Sequence, residues 1–276
     1  MTVQNLSNTP FDELLECFLL AFDDYYVKMP TDPNYYKQRW KAAKVDFSLS
    51  YGMFDNEKLI GFIIHAVDTR NGVLTAYNTG TGVIPEYRGR RVVKSIYEYA
   101  LKDLKQNGIQ KSTLEVITKN ERAIKSYESI GFKIGKTFKC YNGTINIGNS
   151  DQFTVKEIDL NAIDWSNLPN QESYSWDNQK ETILESKYSF FQVVYNNKPE
   201  SFFIINSQKN YIAQFDVLNT ESGNWNRLFT AIKQTSATIK INNVDERLTD
   251  KLYNLQAIGL NNIIDQYEME LSIIKQ

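Results

Sequence analysis

The chain has 276 residues, of which 42% are hydrophobic and 23% are charged. That composition predicts a globular protein with one large domain or two of moderate size. Its 31 basic and 33 acidic residues give a formal net charge of −2, which lacks the basic excess of a nucleic-acid-binding protein.

The sequence gives no sign of a membrane segment, a secretory leader or a metal centre. No apolar run approaches the length of a membrane span, and the N-terminus lacks a basic-then-apolar signal pattern. The cysteines, Cys17 and Cys140, have no metal-binding or redox spacing. The single histidine, His65, lies in an apolar strand, which favours a core or pocket-wall position. We therefore expect a cytoplasmic protein without a bound metal.

The first half alternates helices and strands. The spacing of apolar residues predicts helices at Phe11–Phe22 and Tyr35–Ala43, strands at Leu49–Phe54, Lys58–Asp68 and Val73–Ile84, a helix after Arg91, a strand at Lys111–Ile117, a helix at Glu121–Ile130 and a strand at Lys133–Tyr141. This order indicates a mixed α/β domain with two strand-to-helix units in its middle.

The second half repeats the pattern in weaker form after a turn-rich linker at Asn142–Asp151, so we predict domains at 1–145 and 151–276. The predicted elements are strands at Phe190–Tyr195, Ser201–Ile205 and Tyr211–Val217, a helix at Asn224–Lys233, a strand at Ile239–Ile241, a helix between Asn243 and Gly259, and a strand at Gln266–Ile274. We interpret this half as a divergent copy of the first. The alternative is an unrelated α+β domain.

A pyrophosphate-binding turn is predicted where the strand ending at Ile84 leads into a helix. Backbone N–H groups and the dipole at a helix N-terminus favour phosphate oxygens. The turn carries four cations, at Arg88, Arg90, Arg91 and Lys94. Cations there oppose the helix dipole and so indicate an anionic partner, although a solvated charge run is the alternative. Gly80 and Gly82 favour a bulge or a close backbone approach over ordinary strand irregularity.

A second strand-to-helix unit runs from Leu114 to Phe132 and carries Glu115, Asn120 and Tyr127. Asn120 stands at the junction between strand and helix, and Gly131 ends the helix. Tyr127 lies on an apolar stripe, where tyrosines usually belong to the core. Glu115 has a solvent-facing strand position as its alternative.

Together the two units resemble the acetyl-CoA-dependent N-acetyltransferases of the GNAT superfamily. Residues 87–94 are similar to the family's pyrophosphate signature, and residues 114–132 are especially similar to GNAT enzymes that acetylate protein N-termini. The resemblance implies an α/β (α+β) fold, the acyl-CoA N-acyltransferase fold, with a mixed, mostly antiparallel sheet flanked by helices. It also implies a tandem protein of two related halves with a degenerate C-terminal half.

The resemblance implies which residues bind acetyl-CoA. The strand end pairs with the pantetheine arm, the turn and helix start hold the pyrophosphate, and the asparagine fixes the pantetheine. These positions are Val83, Ile84, Pro85, Arg88, Gly89, Arg90, Arg91, Val92, Val93, Lys94 and Asn120.

The resemblance also implies direct attack of an amine on the thioester in a ternary complex. Because an alkyl amine has a pKa near 10.4, a base must remove its proton, and the matching residue is Glu115. The matching acid for the thiolate is Tyr127. Asp23, Asp24 and Tyr77 are rival bases. No cysteine or serine is placed as a nucleophile, and the acceptor amine stays open.

The turn departs from the family signature at two positions. Arg91 stands where the family has glycine, and Val93 where it has glycine or alanine, so only Gly89 is kept. Backbone N–H groups survive any substitution, and Arg91 can add a charged donor to a phosphate. A bulky side chain can also force the loop outward. The alternative function is therefore a non-catalytic CoA-binding or interaction module.

Two further segments bear on the substrate. Ala21–Pro30 carries two acids and two tyrosines, which suit either a cationic amine in an aromatic pocket or a polar surface turn. In the second half, Leu218–Asn224 contains no basic residue, and no tyrosine follows Asn243 at the spacing that Tyr127 keeps from Asn120. We therefore expect a structural or substrate-shaping second domain.

Overall fold

A computed structural model describes residues 1–148 and 150–274, which form two compact units. The first unit comprises Met1–Gly135 together with the described residues from Glu268 onward, and the second is Lys136–Tyr267. Each unit is a mixed sheet flanked by helices, as predicted. None of the helices in these ranges is long and apolar enough to span a membrane.

The first unit begins with a short strand and two helices. Its elements are β1 (Thr2–Asn5), α1 (Phe11–Ala21), α2 (Pro33–Ala43), β2 (Tyr51–Asp55), β3 (Lys58–Arg70), β4 (Val73–Val83), α3 (Val92–Gln106), β5 (Lys111–Ile117) and α4 (Glu121–Ile130). Its strand order is β1-β2-β3-β4-β5. The end of the last strand of the chain, β12 (Asn261–Ser272), lies beside β5. Sequence reasoning missed β1.

The unit boundary differs from the predicted linker. Strand β6 (Lys133–Thr144) crosses it, so residues 136–145 of the predicted first domain lie in the second unit. Conversely, Glu270 pairs with Lys111 at 3.4 Å, and the Ile273 N–H donates to Gln110 O at 2.9 Å. Sheet pairing, rather than the turn-rich segment, therefore decides where the chain divides.

Helix α1 packs on the sheet through aromatic contacts. The Phe18 ring lies 5.1 Å from Tyr36 of α2 and 5.5 Å from Phe62 of β3, measured between centroids. A Cβ at Gly80 would lie 3.0 Å from the Phe18 ring, and one at Gly82 would lie 2.7 Å from the Ala21 Cβ. The strand glycines are thus explained by the close approach of a helix.

Strand β4 has a bulge and then separates from β5. In the antiparallel pair with β3, Ile64 faces Gly80 and His65 faces Asn78, so Thr79 is the extra residue. The parallel register with β5 runs from Thr75↔Lys111 to Asn78↔Leu114 and ends there. The last residues of the two strands, 79–83 and 115–117, therefore share no ladder, and we call the gap between these strand ends the cleft.

The second unit repeats this element order. Its remaining elements are β7 (Thr154–Ile158), α5 (Lys180–Leu184), β8 (Ser189–Tyr195), β9 (Lys198–Asn206), β10 (Tyr211–Val217), α6 (Asn224–Thr235), β11 (Thr238–Asp245) and α7 (Thr249–Ala257). The antiparallel strands β8, β9 and β10 are followed by a helix and by a strand parallel to β10, as in the first unit. Buried Phe203, Ile205 and Phe229 belong to its core.

Candidate functional site

The open edge of β4 presents backbone groups of Val83. The Ile84 N–H donates to Ile60 O of β3 at 3.1 Å, which makes the neighbouring Gly61↔Val83 pair a non-hydrogen-bonded one. The N–H and C=O of Val83 therefore point away from β3; the C=O accepts from Arg88 Nε at 3.2 Å, and the N–H is left toward the cleft. This is the geometry needed to pair with an extended ligand as if it were another strand.

The turn after β4 leads into α3 with unoccupied donors. Within residues 1–148 and 150–274, no protein acceptor is found for the backbone N–H groups of residues 89–94. Three of these, at Val92, Val93 and Lys94, belong to the first turn of α3, where the helix dipole adds positive potential. These N–H groups are free to donate to an anion, and the anion site itself stays a prediction.

Arg91 adopts the backbone conformation that glycine favours. It is the N-cap of α3 with φ 59° and ψ 22°, in the left-handed region. A residue with a Cβ pays about 1–2 kcal/mol there. Arg91 thus takes, with a side chain, a backbone conformation that glycine adopts without strain.

Positive charge collects around this turn. Arg90 and Arg91 are exposed, and Arg90 lies over the Tyr87 ring, 4.9 Å from its centroid. Arg122 of α4 approaches the turn as well, because its Nη2 lies 3.9 Å from where a Cβ at Gly89 would be. No carboxylate pairs with Arg90, Arg91 or Arg122 within the described ranges. These cations remain available to an anion.

Arg88 is occupied by the protein itself. Its guanidinium pairs with both carboxylate oxygens of Asp24 at 2.5 and 2.7 Å, and donates to Ala21 O and Val83 O. It joins the end of α1 to the end of β4. A direct contact of Arg88 with a cofactor stays a prediction that these hydrogen bonds disfavour.

Tyr127 of α4 is buried, and its hydroxyl lies near the polar side chains of Thr81 and Asn78 of β4. Its ring packs edge-on against Tyr97 and Phe132. Burial raises the pKa of Tyr127 to about 12, so the phenol is protonated at neutral pH. The side chain is therefore part of the core, and its role as an acid stays a prediction.

Asn120 holds the start of α4. Its Oδ1 accepts from the Ala123 N–H at 3.2 Å, and its side chain lies near the Tyr25 hydroxyl. Burial raises the pKa of Tyr25. Tyr25 also contributes to the raised pKa of Tyr127. Tyr26 also donates to Lys119 O at 3.1 Å. The segment after α1 thus lies over the end of β5, next to the asparagine predicted to bind the pantetheine.

The candidate bases differ in their surroundings. Glu115 is half-buried at the first β5 position beyond the paired register. Asp24 is committed to Arg88, whose hydrogen bonds hold the pKa of this carboxyl below its usual value and weaken it as a base. Asp23 is exposed, and Tyr77 is buried in the paired part of β4. Glu115 therefore keeps its place as the predicted base.

Three polar residues that sequence reasoning did not select lie beside Tyr127. They are Asn78 and Thr81 of β4 and Tyr97 of α3. The available signal was the presence of an asparagine and a threonine in an apolar strand, but the spacing alone does not say that they meet α4.

His65 is fully buried, with Nδ1 2.7 Å from Leu49 O, and burial lowers its pKa to about 4.

The second unit is filled at the corresponding helix start. Helix α6 follows Gly223, which is left-handed with φ +78°, but a Cβ there would lie 2.9 Å from Nη1 of Arg227. The buried Arg227 guanidinium pairs with Glu200 and donates to Ser222 O at 2.8 Å. The guanidinium of Arg227 therefore occupies the N-terminal end of α6.

The second unit also lacks a counterpart of the tyrosine. Asn243 lies inside β11 and does not precede the helix, because α7 begins only at Thr249. Counting back from Gly259 as from Gly131 places the buried Leu255 at the position of Tyr127. Asn243 therefore does not correspond to Asn120, and the spacing comparison between them was wrong.

No group of three or more His, Cys, Asp or Glu side chains in the described residues is arranged to hold a metal ion. The fold and this cleft, with a donor-rich helix start beside a splayed strand, define an acyl-CoA N-acyltransferase type of protein. Residues 11–132 match the family model described as Acetyltransferase (GNAT) family. The chain therefore carries a GNAT acetyltransferase domain.

Known proteins resemble one half or the whole chain. N-alpha-acetyltransferase 30 of Schizosaccharomyces pombe is 29% identical over 114 residues, which are 40% of this chain and 72% of that protein. A tandem GNAT protein from the clavulanic acid biosynthesis pathway has a TM-score of 0.70 at 11% identity, covering 100% of this chain and 99% of that chain. A GCN5-related N-acetyltransferase from Sphaerobacter thermophilus has a TM-score of 0.67 at 9% identity, covering 99% and 96%. The structural likeness shows a tandem GNAT fold.

The left-handed backbone at residue 91 predicts the order of stability of two variants. Arg91→Gly and Arg91→Ala remove the same charge from the start of α3, but only glycine relieves the Cβ strain. We expect the free energy of unfolding of Arg91→Gly to exceed that of Arg91→Ala by about 1 kcal/mol in urea denaturation. An Arg91→Ala variant that equals or exceeds Arg91→Gly in stability contradicts this backbone assignment.

Proposed function

We propose that the protein is an acetyl-CoA-dependent N-acetyltransferase that moves an acetyl group to an amine by direct attack in a ternary complex. The observation that carries the proposal is the juxtaposition of the open β4 edge, the α3 start whose N–H groups have no protein acceptor among the described residues, and the protonated Tyr127 hydroxyl. The GNAT domain indicates the class of reaction, which is acetyl transfer. The β4 edge and the α3 start would bind the cofactor, and Tyr127 would supply a proton.

The start of α3 suits the diphosphate of CoA. The N–H groups of residues 89–94 would donate to phosphate oxygens, and Arg90, Arg91 and Arg122 would neutralise their charge. The outward N–H of Val83 would bind the pantetheine arm by strand addition, and Asn120 lies at the far side of the cleft. Arg88 would shape this site through Asp24 instead of touching the phosphates.

The reaction needs a base and an acid. Glu115 would accept the proton of the attacking amine, directly or through water, so that the nitrogen lone pair can form the C–N bond. Tyr127 would give its proton to the departing sulfur as the C–S bond breaks. Its raised pKa keeps that proton in place until the thiolate develops.

The acceptor we propose is a free α-amino group of a peptide. This rests on the likeness to a protein described as an N-alpha-acetyltransferase and on the two tyrosines, Tyr25 and Tyr26, that lie over the cleft. A non-catalytic CoA-binding module is the rival.

Replacing the proposed acid separates turnover from binding. In Tyr127→Phe the ring still packs against Tyr97 and Phe132, but the proton is lost. We expect kcat for acetylation, measured with acetyl-CoA against a panel of peptides and small amines, to fall by about 100-fold or more. The Kd for acetyl-CoA should change by less than about twofold, because the start of α3 is untouched.

Tyr253→Phe, at an exposed tyrosine of the second unit, is the control for this variant. Tight acetyl-CoA binding with no acetylation of any amine in the panel would support the binding module. Undiminished turnover by Tyr127→Phe would remove the acid from the mechanism.

The pH profile gives an independent test of the acid. An acid catalyst must be protonated, and with a pKa of about 12 Tyr127 stays protonated throughout pH 6–10. We therefore expect kcat to rise with pH as the acceptor amine loses its proton, and not to fall up to about pH 10. Circular dichroism at each pH checks that the protein stays folded. A descending limb near pH 9–10 that is absent from Tyr127→Phe would show an unshifted tyrosine.

A further inference from the structure

Asn78 joins strand β4 to helix α3 by a buried hydrogen bond. Its Nδ2 donates to the Tyr97 hydroxyl at 2.8 Å and to Thr81 Oγ1 at 2.6 Å, while its Oδ1 accepts from the Gly80 N–H at 3.1 Å. Because the Gly80 N–H can only donate, the orientation of the amide is fixed, with its nitrogen toward Tyr97 and Thr81. Both polar ends of this side chain are therefore held by the protein.

The partner of Asn78 on the helix is itself fixed by packing. Tyr97 is fully buried in the second turn of α3, and its ring centroid lies 5.5 Å from that of Phe132 and 6.3 Å from that of Tyr127. These edge-on contacts hold the ring, and the ring holds the hydroxyl. The hydrogen bond from Asn78 therefore ties the beginning of α3 to the last paired residue of β4.

The two elements that it joins carry the two proposed parts of the cofactor site. Strand β4 carries the Val83 N–H, and α3 carries the N–H groups of its first turn. One CoA molecule would bind to both elements at once, so its affinity depends on the spacing between them. A hydrogen bond has a preferred length and angle, whereas apolar contact is non-directional. A polar tie therefore fixes this spacing more closely than apolar packing does.

The second unit has an apolar pair at the corresponding positions. Ile212 is the last residue of β10 that pairs with β11 and it precedes a bulge, as Asn78 does in β4. Phe229 stands as far from the N-cap of α6 as Tyr97 does from the N-cap of α3. Ile212 and Phe229 both belong to the core of the second unit. The fold and the bulge thus form without the polar tie, which occurs in the unit whose helix start is not filled by an arginine.

We propose that Asn78 is a positioning residue of the cofactor site. Through the Tyr97 hydroxyl it holds the start of α3 at the distance from the β4 edge that a single acetyl-CoA molecule requires. It acts through these two elements and does not contact the cofactor. The inference rests on the proposed function, because acetyl-CoA must bind to both elements.

The double variant Asn78→Ile with Tyr97→Phe gives the first unit the pair that the second unit has. Replacing both partners of a buried hydrogen bond by apolar groups costs little stability, so we expect a folded protein with a Tm within about 5 °C of the wild type. The Kd for acetyl-CoA, measured by calorimetry, should rise by about 10-fold. The Kd for 3′-phosphoadenosine 5′-diphosphate, a fragment that reaches only the helix start, should change by less than about twofold.

Two single variants support this comparison. Tyr97→Phe keeps the ring packing and should raise the Kd for acetyl-CoA by about threefold, again without weakening the fragment, so the test does not depend on the folding of the double variant. Tyr51→Phe is the matched control, because the Tyr51 hydroxyl donates to Asp103 at 2.9 Å and ties the other end of α3 to β2. Its ratio of acetyl-CoA to fragment affinity should equal that of the wild type.

The ratio of the two affinities separates positioning from general loosening of the structure. Variants that bind acetyl-CoA as tightly as the wild type, or that weaken the fragment as much as acetyl-CoA, overturn this inference and leave the proposed function standing. A wild-type protein that binds no acetyl-CoA overturns the proposed function, and the inference falls with it.

Discussion

The divergence of β4 from β5 is the constraint on which the candidate site depends. The two strands pair only as far as Asn78 and Leu114, and the bulge at Thr79 lies at that point. Beyond it the Val83 N–H points away from β3, and Asn78 and Thr81 of β4 lie near Tyr127 of α4. Had the parallel ladder continued, β5 would have used the groups that we propose for the cofactor.

The turn after β4 holds Arg91, a residue with a Cβ, in a left-handed backbone conformation. Arg91 accepts a left-handed backbone where glycine costs nothing, and the N–H groups around it stay without protein acceptors in the described ranges. Strain of this kind persists where the surrounding structure holds it in place, and it gathers at functional sites. Here the arginine adds charge to the site at the expense of stability.

The sequence predicted the elements better than their contacts. Strand β5 and helix α4 have the predicted bounds. The spacing of their apolar residues and the helix-ending Gly131 are local signals, which a sequence contains directly. The pairing of Arg88 with Asp24, 64 residues apart, and the place of the last strand beside β5 depend on tertiary packing that no local pattern encodes. The roles predicted for Glu115 and Asn120 stay predictions.

The two units share a fold but differ at the position of the candidate site. The second repeats the order of strands and helices, but buries Arg227 at its helix start and Leu255 where the first has Tyr127. The most direct test is a calorimetric titration of the whole protein with acetyl-CoA. The account predicts saturable binding of one molecule per chain in the micromolar range. No heat at millimolar ligand, together with no thermal stabilisation, would contradict the central claim that the first unit holds a working CoA site.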